Sequence, residues 1–214
     1  MTRLVVFDID DTLTRGISIW EMIYRLLGTW ESVGARHLGR FVRGEIDYDE
    51  FARADAREFK GSPAGIVGAA AERLAYAPGT ARVFRELRRR SIATALVSSS
   101  IGQFADWLSV RFDVPHVYAN PLLVGPDGLL TGEIELAVPG NGKQRAMRAL
   151  RRKIGVSRED VLAVGDSVLD LSMFEEAGRS CCVAHAPDAV KAAATWCLPD
   201  DSLLGVLELV GRRE

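Results

Sequence analysis

Leu4-Val5-Val6-Phe7 is an unbroken apolar run that stops at Asp8, and two later runs repeat the form. Residues 92–97 end in Ser98-Ser99-Ser100, and residues 161–164 end in Gly165-Asp166. A strand with one wet face alternates in polarity. A run that is apolar at every position has both faces covered, as in parallel strands sandwiched between helices. Helical patterns lie between these runs: residues 80–90 put Val83, Phe84 and Leu87 on one face, and Lys143–Ile154 does the same with Met147, Leu150 and Ile154. Strands alternating with helices predict an α/β fold built on a doubly wound parallel sheet, whose ligands bind beyond the carboxyl ends of the strands.

The composition permits such a core. Of 214 residues, 48% are hydrophobic and 26% charged, which excludes a disordered chain. With 27 basic and 29 acidic residues the net charge is −2, so there is no global attraction to nucleic acid or anionic lipid. The apolar runs are far shorter than the roughly 18 residues of a membrane span, and the N-terminal residues lack the pattern of a signal peptide. Cys181, Cys182 and Cys197 are odd in number and two are adjacent, a poor disulfide framework and a poor zinc site. These features predict a cytoplasmic protein whose Cys181 and Cys182 are buried thiols in a strand.

Weaker strands are expected at residues 117–119, 181–184 and 196–198. A β-hairpin is expected where Leu122–Val124 and residues 129–135 flank Gly125-Pro126-Asp127-Gly128. The stretch 15–77 breaks the alternation. It shows helical segments punctuated by Gly28, Gly34, Gly44 and Gly61-Ser62-Pro63, and it is far longer than an ordinary βα connection. It is read as a small helical cap, residues 15–77, inserted into a core formed by residues 1–14 and 78–214, with Pro78-Gly79 as the return turn.

The chemistry concentrates at two strand ends. Asp8, Asp10 and Asp11 follow the first strand, and residues two apart in an extended chain face the same side, so Asp8 and Asp10 share a pocket. One such aspartate is ordinarily a helix cap. Three beside a buried strand repel one another and need a cation or hydrogen bonds. Asp166 and Asp170 follow a second buried strand, and carboxylates gathered from two strand ends suit a hard cation such as Mg²⁺. Ser98 ends a third strand and Lys143 opens a helix after Gly140-Asn141-Gly142. Alone, these two read as a turn residue and a surface lysine. Beside a carboxylate-held cation, a hydroxyl, an ammonium and backbone N–H groups make a phosphate site.

Together these motifs resemble the haloacid dehalogenase superfamily, and within it the phosphoserine-phosphatase-like branch with a helical cap. Asp8-Ile9-Asp10-Asp11-Thr12 matches its DxDxT signature, Ser98-Ser99-Ser100 stands where the branch has Ser-Gly-Gly, Lys143 matches the third-motif lysine, and Gly165-Asp166 through Asp170 matches GDxxxD. The resemblance implies a Mg²⁺-dependent phosphomonoester hydrolase acting on a small phosphorylated metabolite. Asp8 is then the nucleophile that forms an aspartyl-phosphate, and Asp10 the proton donor and acceptor. The cation is held by the Asp8 carboxylate, the Asp10 backbone carbonyl and Asp166, with Asp170 as ligand or in support. Ser98, Ser99 and Lys143 clamp the phosphate, and a monomer or homodimer is expected. A phosphotransferase or phosphomutase of the same fold is an alternative. So is a binding protein for a phosphorylated ligand, which would need no nucleophile.

The departures concern substrate. Ile17 stands where the branch carries a cap glutamate for an ammonium, and counting eight residues back from Pro63 reaches Asp55 where it carries an arginine for a carboxylate. Glu21, Arg53 and Arg57 lie nearby in sequence. An acidic cap position repels a carboxylate, so a sugar phosphate or other hydroxylated phosphomonoester is favoured over phosphoserine, which stays as the alternative. Asp55, Thr14 and Arg15 are the substrate-side candidates. Trp20, Met22, Tyr24 and Trp30 are expected to form cap core rather than a substrate wall. Leu169 replaces an asparagine, and Ser99 and Ser100 replace glycines. The basic runs Arg88-Arg89-Arg90 and Arg151-Arg152-Lys153 are read as favourable charge at helix C-termini. His37, His116 and His185 are scattered, without metal-ligand spacing.

Overall fold

A computed structural model of the chain describes residues 2–211. Its centre is a six-stranded sheet of β1 (Leu4–Phe7), β2 (Ala93–Ile101), β3 (His116–Asn120), β4 (Val161–Gly165), β5 (Arg179–Cys182) and β6 (Trp196–Cys197). All neighbouring pairs are parallel and the spatial order is β3-β2-β1-β4-β5-β6. That order reverses direction at β1. In a doubly wound sheet the crevice beyond the strand ends at this reversal is where ligands bind. Every residue of β1 and β4 is buried, as their uninterrupted apolar runs require.

Four helices, α1 (Ile19–Leu27), α2 (Ala35–Val42), α3 (Tyr48–Glu58) and α4 (Ile66–Ala71), follow β1 with no strand among them. A two-residue ribbon pairing Thr14–Arg15 with Ala75–Tyr76 closes the neck of this insert. Its ends are set locally. The Ser18 hydroxyl accepts from Glu21 N–H at the start of α1, and Gly28 at φ 70° ends it. Trp20 stacks near Phe51 and Phe59, and Tyr24 packs on Phe59, so these aromatics are the interior of the insert, as expected.

Beyond the insert come α5 (Thr80–Arg89), α6 (Gly102–Phe112), α7 (Lys143–Ile154), α8 (Leu171–Phe174), α9 (Asp188–Ala193) and α10 (Gly205–Gly211). The expected hairpin forms from Leu122–Val124 and Leu130–Ile134. Helix α6 has no counterpart in the sequence reading, and β2 runs four residues past its expected end. Its register against β3 shifts between Val97 and Ile101, so Ser98, Ser99 and Ser100 sit buried in an irregular end rather than in an open turn. Gly102 lets the chain leave that end: a Cβ there would lie 2.8 Å from the Pro121 backbone. Among the described residues no helix is long and apolar enough to cross a membrane.

Candidate active site

The sheet delivers Asp8 directly, since its N–H donates to the Val164 carbonyl at 2.9 Å and thereby extends the β1–β4 pairing by one residue. The chain then winds through a single turn in which the Ile9 carbonyl accepts from the N–H groups of Thr12, Leu13 and Thr14. Asp11 adopts φ 55° within it, a conformation that aspartate tolerates better than most residues. The Thr14 hydroxyl accepts from Asp11 N–H at 3.2 Å, and the Asp10 carboxylate from Ile19 N–H at 3.1 Å. Thr14 therefore braces the turn, and Asp10 ties it to the first helix of the insert.

The end of β4 supplies the opposing wall. Asp170 Oδ2 accepts from Asp166 N–H at 3.0 Å, from Ser167 N–H at 2.9 Å and from the Ser167 hydroxyl at 3.1 Å. Its other oxygen, Oδ1, accepts from Lys143 Nζ at 2.6 Å. Lys143 Nζ also donates to Asp8 Oδ1 at 2.5 Å, and the Thr12 hydroxyl donates to Asp166 Oδ1 at 2.6 Å. Lys143 is 2% exposed, so it is a buried cation and not the surface lysine its position would suggest in isolation.

Carboxylate oxygens of Asp8, Asp166 and Asp170 lie within 4.8 Å of one another. Three carboxylates around one ammonium leave an uncompensated double negative charge, in a place where burial penalises charge. Burial pushes the Asp8 carboxyl up to about 6, opposed by Lys143 and reinforced by Asp170 and Asp10. Asp166 is raised well above the usual carboxylate range, by burial first and then by Asp8 and Asp170. Asp10 is raised by burial and pulled back by the Ser100 hydroxyl and the Ile19 N–H. For Lys143 burial works against the charge, yet Asp170 and Asp8 outweigh it and hold the ammonium above its ordinary value. A hard divalent cation fits this donor set in both charge and ligand type.

The serine segment is held from behind. Asn120 Nδ2 donates to the Ser99 carbonyl at 2.8 Å and to the Val138 carbonyl at 2.9 Å, while Asn120 Oδ1 accepts from Val138 N–H at 2.7 Å. The Tyr48 hydroxyl, at the start of α3, also donates to the Ser99 carbonyl. The Ser98 hydroxyl accepts from Ser100 N–H at 3.2 Å, and the Ser99 hydroxyl lies 3.4 Å from the Pro139 carbonyl. Asp49, also on α3, accepts from Gly140 N–H at 2.9 Å. A cavity of about 340 Å³ runs along this seam, lined by Phe41, Tyr48, Asp49, Gly140, Asn141 and Leu169.

Asp8, Lys143, Asp166 and Asp170 thus converge, with Asp10 and Ser98–Ser100 beside them. Two substrate-side candidates are engaged elsewhere. Arg15 donates to the Asp11 carbonyl at 2.7 Å and the Asp201 carbonyl at 3.0 Å, and its Nη1 lies 3.2 Å from His185 Nε2. Asp55 is 1% exposed in the interior of the insert, where its Oδ1 accepts from the Tyr24 hydroxyl at 2.8 Å and lies 2.8 Å from His37 Nδ1. The nearby charges do not replace them: Glu21 pairs with Arg25 at 2.6 Å, and Arg53 and Arg57 line an outer groove with Leu123 and Glu133. Sequence reasoning gave no role to Thr12, though it closes the DxDxT match, nor to Tyr48, Asn120 and Ser167. Thr12 and Ser167 were legible as hydroxyls inside the two acidic motifs, whereas nothing local marks Tyr48 or Asn120 as partners of Ser99.

The family model described as haloacid dehalogenase-like hydrolase matches residues 5–175. The chain is 29% identical over 209 residues to a phosphoserine phosphatase of Archaeoglobus fulgidus, covering 97% of this chain and 60% of that protein. It is 31% identical over 210 residues to a phosphoserine phosphatase of Mycobacterium tuberculosis, covering 98% of this chain and 50% of that one. This chain therefore spans between half and three fifths of these two curated relatives. A solved structure of a substrate-bound phosphoserine phosphatase superposes with a TM-score of 0.86 at 26% identity, over 98% of this chain and 99% of the other.

Proposed function

The chain belongs to the haloacid dehalogenase-like hydrolase family, and from that premise we propose that it hydrolyses a small phosphomonoester with Mg²⁺, through a phosphorylated form of Asp8. The observation that carries this reading is Lys143 Nζ, buried between Asp8 and Asp170 at 2.5 and 2.6 Å, with Asp166 in the same cluster. A binding protein has no use for an ion-paired nucleophile so placed.

The Asp8 and Asp166 carboxylates and the Asp10 backbone carbonyl would hold the cation. Bound there, Mg²⁺ supplies positive charge that offsets the repulsion between an anionic nucleophile and an anionic phosphate. Both oxygens of Asp170 are committed, one to Lys143 and one to residues 166 and 167. It therefore acts by positioning Lys143 and the Asp166 backbone rather than as a free ligand. An Asp8 oxygen forms a bond to phosphorus as the ester P–O bond breaks, and the Asp10 carboxyl gives its proton to the departing oxygen. Asp10 then takes a proton from water, whose oxygen attacks phosphorus, releasing phosphate and restoring the Asp8 carboxylate. Lys143 and the N–H groups of the serine segment stabilise the transferring oxygens.

Phosphoserine is the first substrate to test, on the names of the relatives. The sequence-based leaning towards a sugar phosphate has less support than that alternative. It rested on Ile17 replacing a cap glutamate and on Asp55 presenting a bare carboxylate, and Asp55 instead shares its charge with Tyr24 and His37. One observation keeps the sugar phosphate as a second reading: position 55 offers no guanidinium for a substrate carboxylate, and Arg53 and Arg57 are exposed in an outer groove.

Phosphate release from p-nitrophenyl phosphate, phosphoserine and a panel of sugar phosphates tests the proposal. The expected result is turnover that EDTA stops and Mg²⁺ restores, and that Asp8→Asn removes while circular dichroism stays unchanged. Undiminished hydrolysis by Asp8→Asn would take the nucleophile's role away from Asp8.

A further inference from the structure

We propose that Cys182 and Cys197 form a reversible intramolecular disulfide, a redox staple across the edge of the sheet that holds the latch on Arg15. The inference is independent of the substrate. Cys182 and Cys197 are direct partners in the parallel register of β5 and β6, so their side chains emerge side by side on one face. Their sulfurs are 2.9 Å apart as free thiols. Paired strand positions fall within the Cα separation that disulfides span. The odd cysteine count concealed this, because the pair is made by strand registration and not by spacing along the chain.

The two thiols differ in the way an exchange reaction requires. Cys197 lies on the edge strand and is exposed, whereas Cys182 is buried. A low-molecular-weight disulfide such as oxidised glutathione is the oxidant. The Cys197 thiolate attacks one of its sulfurs, forming a mixed disulfide and expelling one glutathione thiolate. The Cys182 thiolate then attacks the Cys197 sulfur, forming the protein disulfide and expelling the second glutathione. Two protein thiols are oxidised, one glutathione disulfide is reduced, and the two protons lost by the cysteines are taken up by the departing thiolates. Burial pushes the Cys182 thiol up, and that desolvation persists once Cys197 is in the mixed disulfide, so the second step is slow at neutral pH and accelerates in alkali.

The consequence lies just downstream of each cysteine. His185 follows β5 and Asp201 follows β6, and they meet at 3.3 Å between His185 Nδ1 and Asp201 Oδ1. Arg15 Nη1 reaches His185 Nε2 at 3.2 Å, and Arg15 Nη2 donates to the Asp201 carbonyl at 3.0 Å. Arg15 belongs to the ribbon at the neck of the helical insert. A covalent tie between β5 and β6 fixes the two loops that grip this neck relative to each other.

The test incubates the full chain with oxidised glutathione at pH 7.5 and pH 9, unfolds it in urea with iodoacetamide so that the buried thiols are blocked as well as the exposed one, and weighs the intact protein and its tryptic peptides. Expected are a chain carrying one alkyl group instead of three, and a disulfide-linked pair of peptides 180–191 and 192–212, formed faster at pH 9. The Cys181→Ala variant should still form it and Cys197→Ser should not. The oxidised wild-type chain should melt several degrees above the reduced one, and dithiothreitol should reverse both changes. A chain that keeps three alkylatable thiols, stops at glutathionylated Cys197, links through Cys181 or links two chains overturns the proposed bond. A bond that forms without raising the melting temperature overturns the staple.

Discussion

Gly165 is what lets Asp170 reach its place: a Cβ at residue 165 would lie 2.5 Å from the Asp170 side-chain carboxyl carbon and 2.7 Å from one of its oxygens. Gly165 also pairs with Cys182 in the sheet, so its backbone is not free to move aside. Gly165→Ala must therefore displace Asp170, which simultaneously holds Lys143 and the amides of residues 166 and 167. The expected cost in stability is about 1–3 kcal/mol, as for other overpacked sites, read by urea denaturation. Catalysis should suffer as well, with kcat down by roughly tenfold or more, since geometry errors of an ångström have that effect. Full activity in this variant would show that Asp170 positions nothing.

Lys143→Met separates charge balance from phosphate binding. Removing the ammonium leaves Asp8 and Asp170 buried without their common partner. Breaking a buried ion pair in this one-sided way costs about 3–5 kcal/mol. The metal-free variant should therefore unfold at much lower urea concentration than the parent. Mg²⁺ should restore more stability to the variant than to the parent, because the cation then supplies the missing positive charge. Equal shifts with Mg²⁺ in both proteins would place the cation away from these carboxylates.

The parts of this molecule that were legible in the sequence are those in which one short segment carries its own signal. Leu4–Phe7 reads as a buried parallel strand because apolar residues at every position admit no wet face. The acidic motifs read as one site because they stand at the ends of two such strands. Lys143–Ile154 matches its helix to the residue, since Gly142 and Gly155 bracket a clear apolar stripe. Asp55 failed for the opposite reason. Its alignment position is local information, but its partners Tyr24 and His37 come from two other helices, and only packing shows that the carboxylate is engaged. Asn120 and the cysteine pair were hidden in the same way, since their contacts cross between strands and loops far apart in the chain.

Asn120 is expected to control the serine segment without touching phosphate. Asn120→Ala would leave the Ser99 carbonyl with Tyr48 alone and both Val138 backbone groups without these partners in a buried place. Unsatisfied buried groups cost about 1–3 kcal/mol each, partly recovered by water entry. The variant should lose about 2–4 kcal/mol of stability. Its kcat for p-nitrophenyl phosphate should fall further than that of a Val138→Ala variant, which keeps all three hydrogen bonds. Similar kcat values for the two would make Asn120 a purely structural residue.

Asp55 gives the insert a pH dependence whose sign follows from its burial. Desolvation raises its carboxyl from 3.8 to about 6, and the bonds from His37 and Tyr24 offset only part of that rise. Between those two values the folded chain binds a proton at Asp55 that the unfolded chain has released, so raising the pH favours unfolding. This contribution to stability is fully present below pH 3.8, declines through pH 6 and is absent above it. A rise of that size is equivalent to at most about 3 kcal/mol. Asp55→Asn cannot ionise and keeps an acceptor for the Tyr24 hydroxyl. Urea midpoints taken at half-unit steps from pH 4 to 7 should therefore fall less steeply for the variant than for the parent, and the difference should level off above pH 6. Parallel curves would mean that Asp55 titrates alike in the folded and unfolded chain, and that its place among Tyr24 and His37 does not desolvate it.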